Sequence, residues 1–499
     1  MEIDVILQGD CLEVLKTLPD NSVDSIVTDP PAGIEFLGKD WDSFKTGRLA
    51  NYTGPPGGNI KPLGEGRGWQ SMLPKISQSA NRKCNACGQY KFSRTPCKCE
   101  SPDWEPDSSV RDTFVAFMQA VFTEAIRVLK PGGHAIVWAI PRTSHWTAWA
   151  IEAAGFEIRD AVYHVFATGF PKNFHVAKAI DATILTGGSS PSDLADTREA
   201  QGAAAPADGE EHSYRPGDNK TGVFRNKPGT ANEVPLVTDE AKRWAGWGTA
   251  LKPAVEVWWL ARKPVEQTVA KSVLAHGTGA LNIDGCRVGG ERWPTNLTMT
   301  HTPDCVPTGD GGAVCAPECP LAVYDRQGGR SGQATEQLPS FFFVPKPGRA
   351  EKEGGLDGLP MKVIGTLGGG GEKANDPVSE RFTKMARNTH PTPKPTTLMA
   401  HLVRLVTAPG GTVLDPFAGS GTTCLAAIEE GMHYVGIERE DEYIAIARAR
   451  VELAVEIKKG QDAQRELFEQ SADIETDAAP APVEAAPPAR DLFAYAMED

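Results

Sequence analysis

Residues Thr412–Glu440, TVLDPFAGSGTTCLAAIEEGMHYVGIERE, constrain this chain more than any other stretch. They read as strand, glycine turn, helix and strand, a unit of an open α/β sheet. Val413 and Leu414 end a buried strand, and Phe417–Gly421 form the turn. Thr422–Glu430 suit a helix that Gly431 stops, and His433–Ile437 make a second strand ending at Glu438. Small residues in such a turn let a ligand approach the backbone, and N–H groups at the helix end face it, which favours a nucleotide-like ligand. An acid about 20 residues further on can take two ribose hydroxyls. Glu438 stands at about that distance from Gly419. The pattern is not the phosphate-cradling GxxxxGK[ST] loop, since no lysine follows the glycines. Taken alone, it is equally a tight turn in any α/β protein.

A second motif narrows the reading. Ser22–Ala32 is SVDSIVTDPPA, in which Val23, Ser25, Ile26 and Val27 make a short strand with Asp29-Pro30-Pro31 at its carboxyl end. Open α/β sheets bind ligands just outside the carboxyl ends of their strands. The prolines fix the backbone and leave the Pro30 carbonyl without a helix or sheet partner. A carboxylate beside a rigid carbonyl offers two acceptors, which suits an exocyclic amino group with its two N–H donors.

Together these stretches resemble the DNA amino-methyltransferases, which methylate adenine N6 or cytosine N4 with S-adenosylmethionine. The order, Asp-Pro-Pro before Phe-x-Gly-x-Gly, is that of the permuted β group. Further similarity lies in Gly9-Asp10 after an N-terminal strand, in Gly169-Phe170-Pro171-Lys172, and in Asn388–Pro395, NTHPTPKP. The resemblance covers roughly residues 1–45, 110–180 and 250–455. It implies a Rossmann-like methyltransferase sheet, permuted, with an inserted recognition region; zinc modules are expected from the cysteine spacing below. It implies catalytic positions Asp29, Pro30, Pro31 and Ala32. It implies cofactor positions Asp10, Lys394, Thr396, Asp415, Phe417, Ala418, Gly419, Gly421 and Glu438. Asp10 is equally suited to capping the following helix. The Asp at 29 favours adenine over cytosine, because the family's cytosine members more often carry Ser there.

One departure stands out: Ala32 occupies the position where the family has an aromatic ring, usually Tyr. That ring stacks on the extruded base, a contact worth about 1–3 kcal/mol. Either the activity is impaired, or a neighbour such as Phe36 or Trp41 takes the ring's place, or the residue has been substituted. A cytosine-N4 enzyme and a catalytically silent DNA-binding homologue remain as alternatives.

The net charge of −14 looks wrong for a DNA binder, but it is unevenly spread. Residues 461–499 hold ten acids against two arginines, a net of −8. Residues 39–94 hold ten Lys/Arg against three acids, +7, and residues 361–410 hold seven against three, +4. Local basic patches of this kind suit contact with duplex DNA. No stretch reaches the apolar length of a membrane span, and Met-Glu-Ile-Asp-Val is not a signal peptide. A cytoplasmic protein of a bacterial or phage-infected cell is expected, with no membrane partner; the oligomeric state is open, a dimer included.

Ten cysteines in such a chain point to metal ligands or buried thiols before disulfides. Cys84, Cys87, Cys97 and Cys99 have the spacing of a structural zinc ribbon, with free thiols as the alternative. His301, Cys305, Cys315 and Cys319 suit a Cys₃His zinc site, again against buried thiols. The expected division is a catalytic half at 1–45, a basic insertion at 46–108 and core again at 109–180. A flexible insertion at 181–250 and a core strand at 251–264 follow. A recognition region at 265–385, the cofactor half at 386–458 and an acidic, disordered tail at 459–499 complete it.

Overall fold

The structure is a computed structural model. It describes residues 1–32, 82–84, 86–87, 97–106, 109–166, 175–187, 236–251, 253–287, 293–300, 305–307, 313–317, 319, 322, 340–341, 349–366 and 383–475. Phe36, Trp41, the GFPK segment at 169–172 and His301 lie outside the described residues, as do most of the 181–250 insertion and the tail beyond 475.

In chain order the elements are β1 (Val5–Gln8), α1 (Cys11–Thr17), β2 (Val23–Thr28), β3 (Arg82–Cys84), β4 (Trp104–Pro106), α2 (Ser109–Val128), β5 (Leu129–Ala139), α3 (Ser144–Ala153) and β6 (Glu157–Val165). Then come α4 (Val176–Thr186), α5 (Asp239–Arg243), β7 (Val255–Arg262), α6 (Val269–His276), β8 (Leu297–Thr300), β9 (Val306–Pro307), β10 (Ala313–Val314) and β11 (Ser340–Phe341). The chain continues through α7 (Arg349–Glu353), β12 (Lys362–Thr366), β13 (Thr383–Ala386), α8 (Thr396–Val406), β14 (Thr412–Asp415), α9 (Thr422–Glu429), β15 (His433–Glu438) and α10 (Asp441–Glu475).

Nine of these strands form one sheet in the order β1-β15-β14-β2-β5-β7-β6-β8-β11. Every neighbouring pair is parallel except the two made by β7, which runs against β5 and β6. The strand before Gly9 pairs with the strand ending at Glu438, in the register Gln8↔Glu438, so the two ends of the fold meet as a permuted sheet requires.

The strands are apolar on both faces because both faces are covered, as parallel sheets demand. Ile26 and Val137 join a core with α1, α2 and α3. Their neighbours Val27 and Ile136 point the other way, into a core with α8, α9 and α10. β2 is buried from end to end, and its polar residues are all paired. Ser25 Oγ meets Thr407 Oγ1 at 2.7 Å, and Asp24 accepts from Lys130 Nζ at 2.6 Å and from the Thr412 N–H at 2.8 Å.

Two expectations are corrected. Lys130-Pro-Gly-Gly133 stops α2 after Val128, as its breaker residues suggest, but the strand after it starts already at Leu129 rather than at His134. It is held extended by Lys130 on Asp24 and by mutual hydrogen bonds between residues 132–133 and Lys263. The final helix runs on to Glu475, past the point near 460 where an acidic tail was expected. The 181–250 insertion is pinned at its base. Asp181, buried, accepts from the N–H of Val237 at 2.8 Å, and from the N–H and hydroxyl of Thr238 at 2.9 and 2.7 Å. No described helix is long and apolar enough to cross a membrane.

Asp24 joins β2 to β14 across nearly the whole chain. Asp24→Ala leaves the Thr412 N–H and Lys130 without their acceptor, so it should destabilise the fold by about 2–4 kcal/mol. Urea unfolding followed by circular dichroism checks this, and Asp24→Asn, which keeps one acceptor, should lose less.

Candidate active site

β2 and β14 lie side by side in parallel, with Val413 opposite Ser25 and Leu414 opposite Ile26. Their carboxyl ends therefore deliver Asp29-Pro30-Pro31 and the glycine turn to one edge of the sheet. The two ends are locked together by Asp415. Its Oδ1 accepts from Thr28 Oγ1 at 2.6 Å and from the Phe417 N–H at 3.0 Å, and its Oδ2 accepts from Thr423 Oγ1 at 2.5 Å. Burial pushes the Asp415 carboxyl up to about 6, against the pull of these hydrogen bonds. Asp415, expected at the cofactor, spends its oxygens on the turn, on α9 and on the end of β2.

Asp29 is largely buried and is paired through Oδ2 with Lys394 Nζ at 2.5 Å. Burial raises its pKa; Lys394 lowers it in part, and the charge of Glu256 raises it again. Lys394 also sits 4.2 Å from the ring centroid of Trp138 and 6.0 Å from that of Trp258, a cation over indole faces. Pro30 is buried, while Pro31 and Ala32 are half-buried. The Ala32 carbonyl accepts from Thr143 Oγ1 at 3.0 Å, which anchors the end of the motif to the start of α3.

Glu256 completes a row of charges at this edge. It starts β7, directly across from His164 on β6, and its Oε2 lies 3.6 Å from His164 Nδ1. Burial pushes Glu256 up, but Lys394, His164 and Trp138 outweigh it and hold the carboxyl below its ordinary value. Asp29 with Lys394, and Glu256 with His164, thus gather at this edge, and the charge of Lys394 reaches Glu256.

The glycine turn is shaped by its surroundings. Gly419 has φ +52°, and a Cβ there would lie 2.7 Å from His390 Nε2. Gly421, at φ +81°, begins α9, and Ala418 and Ser420 are buried beside them. Glu438 accepts from the Gly419 N–H at 2.9 Å through Oε2, and from the N–H groups of Arg439 and Glu440 at 2.8 Å each through Oε1. A carboxylate has about four acceptor sites, so Glu438 keeps room for a further donor. Burial raises its pKa against these N–H bonds. One strand further on, Asp10 caps α1 by accepting from the Leu12 N–H at 3.0 Å. Glu438 and Asp10 follow paired strands, since the Gly9 N–H donates to the Glu438 carbonyl at 2.9 Å.

Behind the turn stands a layer that sequence reading missed. Arg450 on α10 is almost fully buried and donates to the Ser420 carbonyl at 2.7 Å, Ser420 Oγ at 3.1 Å, Thr422 Oγ1 at 3.3 Å and the Glu351 carbonyl at 3.2 Å. Glu351 Oε1 accepts from the Thr396 N–H at 2.9 Å and from Thr396 Oγ1 at 3.0 Å. His390 packs edge-on against Tyr443, and burial lowers its pKa to about 3, so the imidazole against Gly419 is neutral. Lys394 and Thr396, expected at the cofactor, are engaged by Asp29 and Glu351 respectively. Glu256 had a signal in sequence: it is the lone charge inside the apolar run AVEVWWLA. Arg450 had none, because Arg448 two residues before it stands in the same local context.

The cysteines gather into two groups. The Sγ atoms of Cys84, Cys87, Cys97 and Cys99 lie within 4.8 Å of one another, as do those of Cys305, Cys315 and Cys319. The second group sits in a small core with Met299 at the β8 end of the sheet. His301, its expected fourth member, is outside the described residues.

The strand order, the single antiparallel strand and a glycine turn beside Asp-Pro-Pro define a methyltransferase-type sheet. Residues 241–449 match the family model of the N6/N4 DNA methylases. Over 62 residues it is 47% identical to YubD of Escherichia coli K12, a protein provisionally named a methylase. Over 63 residues it is 46% identical to the type II methyltransferase M2.DpnII of Streptococcus pneumoniae. These matches span 12% and 13% of this chain and only 27% and 24% of the two relatives. Among solved structures, the M1.HpyAVI–SAM complex is 13% identical, with 89% of this chain and 98% of that one covered at a TM-score of 0.32. The cytosine-N4-specific PvuII methyltransferase is also 13% identical, with 91% of each chain covered at a TM-score of 0.35.

Arg450→Met removes every donor that Ser420 and Thr422 share in this layer and leaves a buried carbonyl unpaired. A loss of about 1–3 kcal/mol is expected. Chemical unfolding measures it, and amide exchange at residues 419–422 should accelerate with it.

Proposed function

We propose that this chain transfers a methyl group from S-adenosylmethionine to the exocyclic amino group of a base in duplex DNA, adenine N6 in the first instance. The observation that carries this reading is the juxtaposition of Asp29-Pro30-Pro31 with the Phe417–Gly421 turn on neighbouring parallel strands, tied by the Thr28–Asp415 hydrogen bond. The family match over residues 241–449 supports the cofactor half of this reading.

An amino group that is stacked and paired cannot meet a methyl donor in line, so the base is turned out of the duplex. When bound, S-adenosylmethionine supplies an electrophilic methyl group on a cationic sulfur. Phe417, Ala418, Gly419 and Gly421 would hold it, because the left-handed backbone of the two glycines, packed on His390 and Ala447, gives the turn its shape. Glu438 and Asp10 would take its nucleoside end, each with carboxylate acceptors on adjoining strands. Asp29 and the Pro30 carbonyl accept from the two amino N–H groups of the base, which turns the nitrogen lone pair towards the methyl group. The carboxylate also stabilises the positive charge that would grow on nitrogen as the N–C bond forms and the methyl–sulfur bond breaks, its electron pair staying on the departing sulfur. The surplus amino proton passes to Asp29 Oδ1, the oxygen not paired with Lys394. Lys394 gives way as the base arrives, and Glu256 keeps a counter-charge beside it. Thr396 supports the segment through Glu351 rather than touching the cofactor. Methyl transfer of this kind needs no metal, and zinc at the cysteine clusters would be structural.

Transfer of labelled methyl to unmodified duplex DNA tests the reading, with the modified nucleoside identified after digestion. N6-methyladenine is the expected product, and N4-methylcytosine would replace the adenine assignment. Asp29→Ala should lower the rate by about a hundredfold or more while cofactor affinity holds. Ala32→Tyr restores a ring against the base and should raise it about five- to a hundredfold. Cofactor binding without methylation by this chain or by Ala32→Tyr would leave a silent DNA-binding homologue.

The rate should also fall on acidification at a pH above 3.8, the ordinary value for an aspartate, because burial raises Asp29 and only its anion accepts both protons and charge. Lys394 pulls Asp29 down, so Lys394→Met should move the acid limb of the pH–rate profile to higher pH.

A further inference from the structure

We infer that Cys84, Cys87, Cys97 and Cys99 bind one zinc ion as a closed, four-thiolate structural site, independently of the methyl-transfer reading. The chemistry of the cluster is uniform: four thiols, no carboxylate and no histidine among them. All four are free thiols. Their arrangement has the dimensions of a tetrahedron around zinc. With Zn–S bonds of about 2.3 Å, the edges of such a tetrahedron are about 3.8 Å long. Cys84 Sγ lies 3.9 Å from Cys99 Sγ and Cys87 Sγ lies 3.4 Å from Cys97 Sγ, and every remaining pair is within 4.8 Å. Four uncharged thiols would have no reason to converge in this way, since each is a weak hydrogen-bonding group and three of them have solvent available.

The local fold needs the ion. Cys84 closes β3, a three-residue strand that among the described residues pairs only with the three-residue β4, with Cys84 opposite Trp104. A two-stranded ribbon of this size is not stable by itself. Cys97 and Cys99 precede β4 in the chain, so zinc would join both strands at one end and close the loop between them. Four protein ligands leave no position for water, which makes the site structural. The thiols shed their protons on binding, and the binding energy becomes folding energy for the ribbon.

The test uses the full-length chain prepared with zinc and without chelators, with metal content measured by plasma mass spectrometry. Cys87→Ser/Cys97→Ser should lower zinc by one ion per chain, whatever the Cys305, Cys315 and Cys319 group holds. An unchanged zinc content would overturn the inference, as would a Cys87–Cys97 disulfide in the unreduced chain. A second measurement needs no variant. Cys87 is exposed, so its alkylation in the native chain reports directly on its thiolate. Withdrawing zinc with a chelator should raise alkylation of Cys87 about tenfold or more. Buried Cys11 and Cys424 should stay protected throughout. Equal alkylation of Cys87 with and without zinc would overturn the site.

Discussion

The Asp415 carboxylate is the point on which the architecture depends. One buried group ties the end of β2, the glycine turn and the first turn of α9 through three donors. In a low-dielectric interior such hydrogen bonds are strong when made and costly when missing. The geometry they impose is what matters for the site. Thr28 immediately precedes Asp29, so the bond from its hydroxyl sets where the Asp-Pro-Pro segment begins. Phe417 opens the turn, so the bond from its N–H sets where the glycines lie. Two motifs almost 400 residues apart in the chain are thereby placed on one edge.

The sheet's one reversed strand has a second consequence. β2, β5 and β6 all end at the edge that carries Asp29, whereas β7 begins there because it runs the other way. Its first residues therefore lie beside the last residues of its neighbours. That is how Glu256 comes to face His164 and to feel the charge of Lys394, the partner of Asp29. With two carboxylates and one ammonium, the edge is acidic. The base amino group and cationic methyl donor proposed for it would be well served by that sign.

Insertions leave this edge intact because they are anchored where they leave the core. Asp181 gathers three donors from Val237 and Thr238, so the residues between can vary in length at small entropic expense. The ribbon of β3 and β4, with its four cysteines, lies between the end of the Asp-Pro-Pro segment and the start of α2.

Much of the fold was legible in the linear chain. Strand–turn–helix–strand at the C-terminal end and the short strand before Asp29 follow from apolar runs and glycine placement, whereas the pairing of the first strand with the one ending at Glu438 was implied only by the family resemblance. Apolar runs and glycines are local signals, carried by residues close together in sequence. Locality was incomplete at Lys130-Pro-Gly-Gly133. Breaker residues end the helix there, but pairing with Asp24 and Lys263 draws the segment into β5, so the strand starts before His134.

Sequence alone thus determined the elements, the order of the two motifs and the clustering potential of the cysteines, because periodicity and spacing are properties of the chain. Only the tertiary structure decided what each polar side chain does. Asp415 became a strut, Lys394 the partner of Asp29, and Thr396 the partner of Glu351. It also brought in Glu256 and Arg450, which no motif announced. A buried charge must find its partner across the fold, and that partner is set by which strands and helices become neighbours rather than by which residues are adjacent in sequence.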